Sequence, residues 1–83
     1  MNISNVKRTV DFMTSFRSEA PPAFTAEEAH VHLVAKSRAA RIDPVPFMAF
    51  SRILSAYRKV IGITNGGVRG EHRGNRRVWR WVK

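Results

Sequence analysis

The apolar residues of this chain change period once, and that change limits the fold more than any other feature. As far as Ile61 they recur at helical spacing, whereas the closing stretch Arg77-Val-Trp-Arg-Trp-Val-Lys83 alternates with a period of two. A chain that is helical first and extended last belongs to the α+β class, with its helices and its sheet sharing one core. Eighty-three residues provide one such core and no room for a second domain. There is no cysteine, so neither disulfides nor thiolate metal sites hold the fold together, and burial of the 43% hydrophobic residues has to do so.

Three helices are predicted. Ile3, Val6, Val10 and Met13, widened by Phe12 and Phe16, mark the first, which ends before Pro21-Pro22. Thr25-Ala-Glu-Glu28 reads as a capping box after a short extended segment, Ala23–Thr25, so the second helix starts there and runs to about Lys36. Its inner side carries Ala26, Ala29, Leu33 and Val34. Residues 37–43 form the connection, with Asp43 as N-cap and Pro44 in the first turn of a third helix over about residues 44–60. In that helix Phe47, Phe50, Leu54, Tyr57 and Ile61 share one face, with Ile53 and Val60 at its margin. Met48, Ser51, Arg52, Ser55, Arg58 and Lys59 share the other.

Residues 61–65 alternate as a short strand, and a hairpin over residues 61–83 pairs it with the C-terminal strand. Between them lies GGVRGEHRGNRR, a basic, glycine-rich loop. Trp79 and Trp81 fall on one face of the returning strand, where they either close the core or offer platforms for stacking bases.

Charge divides the chain. Residues 1–43 hold six basic and five acidic side chains, a net of +1, whereas residues 44–83 hold nine basic and one acidic, Glu71, a net of +8. A surface of that sign attracts a polyanion. Chemistry of other kinds finds little support. The six acids are scattered, no glycine-rich phosphate loop links a strand to a helix, and His30 and His32 are spaced two apart, which keeps them off a common helix face. No enzyme, metal, cofactor or small-molecule ligand is expected. Neither a signal-peptide core nor a run long enough to span a bilayer occurs, so a soluble cytoplasmic, nucleoid-associated protein without a membrane partner is expected.

The order helix, short strand, helix, helix, strand, basic loop, strand resembles the winged helix-turn-helix family of DNA-binding domains. FTAEE at the second helix, Val60-Ile-Gly-Ile63 after the third, and the Gly/Arg hairpin closing on VWRWV carry the likeness. It implies a three-helix winged helix with a C-terminal β-hairpin wing. The third helix would enter the major groove of double-stranded DNA while the wing lies on the backbone or in the minor groove. Met48, Ser51, Arg52, Ser55, Arg58 and Lys59 on the helix, and Arg69, His72, Arg73, Asn75, Arg76 and Arg77 on the wing, would then make the contacts. Side-chain chemistry agrees, because arginine forks pair with guanine edges or phosphates and short serines allow close approach. The implied role is a small transcriptional regulator of the kind encoded by phages and mobile elements. Two other readings use the same surface: docking on an acidic protein, and RNA binding. Phe12 and Phe16 serve either the core or a homodimer interface.

Overall fold

The structure, a computed structural model, describes residues 2–65, 71–74 and 76–82, with only the backbone for residues 71–73. The chain folds as a small α+β domain with the order α1 (Ile3–Phe16), β1 (Ala23–Thr25), α2 (Ala26–Ala39), α3 (Phe47–Ala56), α4 (Arg58–Ile61), β2 (Ile63–Thr64), β3 (Glu71–Arg73) and β4 (Arg76–Trp81). Four helices replace the expected three, because the long third helix is broken at Tyr57.

Each helix has a local cause. Asn2 caps α1 by accepting from the Ser4 and Asn5 amides. The capping box of α2 is present in full: the Thr25 amide donates to Glu28 Oε1 at 2.9 Å and the Glu28 amide to Thr25 Oγ1 at 3.2 Å. This helix outruns its expected end at Lys36 and reaches Ala39, since Arg38 and Ala39 favour helix and no glycine intervenes. It stops where Arg41 takes a left-handed φ of 58° and the Ile42 amide donates to Ser37 O at 3.0 Å.

The third helix starts at Phe47 and not near residue 44. Asp43 is not its N-cap. Proline forces its predecessor out of the α region, so Pro46 keeps Val45 out of the helix and itself becomes the capping residue. Val45 is fully buried, and its carbonyl accepts a hydrogen bond from His30 Nε2 at 2.7 Å. At Tyr57 the backbone leaves helical geometry (φ −111°, ψ 21°), and the one-turn α4 follows, ending at Gly62 with φ 85°. Ile61 is therefore helical, which shortens the expected strand to Ile63–Thr64.

The sheet is antiparallel and centred on β4. β1 lies along one edge, pairing Phe24 with Trp79 and Thr25 with Val78. β2 and β3 lie end to end along the other, pairing Ile63 with Trp81 and Glu71 with Val78. The two edges differ because Val78 has one partner in β1 and another in β3. Residues 71–73 thus form a strand that the loop reading missed, and the hairpin reverses between Arg73 and Arg76 with Gly74 at φ 67°.

Met13, Phe24, Phe50, Ile53 and Leu54, all at 0% exposure, make the centre of the core. Ile53 is thus fully interior and not marginal, while Val60 and Ile3 face outward. Trp79 is buried and Trp81 half-buried against Phe24 and Phe16, with Nε1 donating to Pro21 O, so both tryptophans close the core. Phe16 is buried and Phe12 stacks on it at 5.3 Å, so both are taken up in core packing. Among the described residues, no helix is long and apolar enough to cross a membrane.

Candidate nucleic-acid interface

The α3 helix is held from below. Phe50, Ile53 and Leu54 sit on one arc at full burial, and Phe47 meets the His30 ring edge-on at 5.4 Å. A helix fixed along that arc presents the opposite one, so Met48 and Arg52 are exposed and Ser51 and Ser55 half-buried. The hydroxyls are half-buried because they form one wall of a groove.

That groove has a volume of about 350 Å³ and runs between α3 and the start of β4. Ser51, Ser55 and Phe47 line the helix side, Arg76, Arg77 and Trp79 the strand side, and Thr25, Ala26 and Glu27 the end where α2 begins. The pairing of β1 with β4 sets this geometry: it places the start of α2 beside the hairpin. The structure therefore joins two helix residues and two hairpin residues named from sequence into a single concavity.

The other named residues lie elsewhere. Arg58 and Lys59 fall beyond the break at Tyr57 and line a second recess, of about 310 Å³, with Gly62, Ile63, Thr64 and Val82. Arg58 Nη1 donates to Ser55 O at 2.9 Å, which satisfies a carbonyl left open at the end of α3. Met48 and Arg52 stand on the outward face without lining either concavity. His72 and Arg73 have a placed backbone in β3, but their side chains lie outside the described residues, as do Arg69 and Asn75 altogether.

Two electrostatic contacts shape the groove. Arg77 rests its guanidinium over the Trp79 ring, 5.6 Å from the centroid, which fixes a cation above an apolar wall. Arg76 Nε forms an ion pair with Glu27 Oε2. Sequence reasoning missed Glu27 altogether. Its signal was present, since residues directly after a capping threonine occupy the first helical turn, but the partner strand lies some fifty positions later and only the fold brings the two together.

His30 is half-buried and spends Nε2 on Val45, and His32 packs near Phe16 at 5.2 Å. Among the described residues, no three His, Asp or Glu side chains gather as metal ligands.

Compared with known proteins, the chain matches no family model, no curated protein and no solved structure.

Proposed function

We propose that the chain is a winged-helix protein that binds double-stranded DNA in a sequence-dependent way and acts as a small transcriptional regulator. On this reading α2 and α3 are the helix-turn-helix pair, α3 enters the major groove, and the β3–β4 hairpin is the wing. The observation that carries the proposal is the shared groove: the hydroxyl face of α3 and the arginines of β4, both from the half of the chain with a net charge of +8, open onto one concavity. A B-form major groove, about 12 Å wide, admits a single helix, and cations on the flanking strand then lie beside the duplex, within reach of phosphates or base edges.

The test is selection from random-sequence duplexes by the purified protein at about 150 mM salt, where much non-specific phosphate binding is already suppressed. An enriched motif is expected, and its affinity should fall with log salt at about −0.9 per phosphate neutralised. Retention without any motif would replace this reading by an architectural or RNA-binding role. A protein that retains no duplex would point to an acidic protein as the partner.

A further inference from the structure

The ion pair between Glu27 and Arg76 is hard to understand if Arg76 is only a phosphate contact. Among the described residues that line the groove, Glu27 is the one carboxylate. Its negative charge repels phosphate and offsets half of the cationic pair Arg76 and Arg77. As a prop for the fold the contact has little value, because both side chains are open to water (65% for Arg76, 41% for Glu27) and exposed pairs contribute little to stability. The capping box of α2 uses Thr25 and Glu28 and leaves Glu27 out.

What the contact does is orient. It engages the guanidinium through Nε, while the Arg76 side chain stays 65% open to water. The donors of an arginine approached from that open side can pair with O6 and N7 of guanine. An ion pair at the groove shared with Ser51 and Ser55 biases the arginine toward one rotamer and so lowers the freedom lost on binding.

We propose, resting on the DNA-binding reading above, that Glu27 and Arg76 form one specificity element: Arg76 reads a guanine edge, and Glu27 is the positioning residue that aims it and keeps phosphate away. Arg76 thereby differs in kind from Arg77, whose guanidinium stands over the Trp79 ring.

The test compares wild type, Glu27→Gln, Glu27→Ala, Arg76→Ala and the Glu27→Ala/Arg76→Ala double variant. Each is titrated with the selected duplex, with single-base variants of it and with random-sequence duplex, and melting curves confirm that each folds. Arg76→Ala should lower the ratio of specific to random affinity by roughly tenfold, through one G·C position. Glu27→Ala should relax the same position and tighten random-duplex binding several-fold, because a repulsive charge has gone. Glu27→Gln, which removes the charge and keeps an acceptor, should tighten random binding while retaining more of the base preference. In the double variant the two losses of preference should not add. A wild type that selects a motif, with Glu27→Ala leaving both that motif and random affinity unchanged, would overturn this inference and leave the DNA reading intact. A wild type that selects no motif would overturn both.

Discussion

Gly62 joins α4 to β2, and replacing it with alanine tests whether that joint sets the sheet in place. Its φ of 85° lies in the left-handed region, where a side chain costs about 1–2 kcal/mol. A Cβ there would also stand 2.9 Å from Arg17 Nη1. Arg17 can swing away, but it then leaves the Val82 carbonyl, to which Nη2 donates, and its seat 5.4 Å from the Trp81 ring centroid. Both contacts are at the surface, so their loss adds up to about 1 kcal/mol. Gly62→Ala should therefore destabilise by roughly 2 kcal/mol and lower the melting temperature by about 8–16 °C for a domain of this size. Thermal unfolding followed by circular dichroism measures it. The Arg17→Ala/Gly62→Ala pair separates the contributions: against an Arg17→Ala background, Gly62→Ala should cost only the backbone strain. A Gly62→Ala protein that melts within a degree of wild type would refute the left-handed joint, and an undiminished cost without Arg17 would refute the steric contribution.

Other perturbations address the core, the caps and the contact surface. Thr9 is fully buried and, among the described residues, its hydroxyl has no hydrogen-bond partner, so Thr9→Val should raise stability by about 1 kcal/mol in chemical denaturation. Thr25→Ala removes the acceptor for the Glu28 amide and should cost about 1 kcal/mol by the same assay. Arg52→Ala should weaken the preferred duplex by about 1–3 kcal/mol and relax one base position; equal loss on random duplex, read by titration, would make Arg52 a phosphate contact.

Much of the fold was legible because its signals are local. The capping box at Thr25 and Glu28 marks the start of α2, and the alternation of VWRWV marks β4. The misreadings share a different character. Two prolines flank Val45, and the rule that favours proline in a first turn applied to Pro44 conflicts with the constraint that Pro46 puts on Val45; the constraint wins because it is steric. The break at Tyr57 leaves no trace in periodicity, since Phe50, Leu54, Tyr57 and Ile61 keep their spacing through it. Glu71-His-Arg73 carries no apolar alternation at all, and becomes a strand because the edge of β4 offers it backbone partners.

The candidate site was legible by residue type but not by grouping. Helical geometry puts Ser51 and Ser55 together, and sequence order puts Arg76 beside Arg77. That the two pairs share a groove depends on the pairing of β1 with β4, and that Arg58 and Lys59 are set apart depends on the break at Tyr57. Glu27 entered for the same reason, as a consequence of where the sheet docks.

The central claim is that the outward face of α3 and the groove it shares with β4 form the DNA-binding surface, and amide chemical-shift mapping tests it most directly. Isotope-labelled protein titrated with its selected duplex should show its largest shifts at Ser51, Arg52, Ser55, Glu27, Arg76 and Arg77. Shifts concentrated instead at Phe12, Leu33 and Ile42, which line the recess between α1 and α2, would place the contact outside the groove and contradict the account.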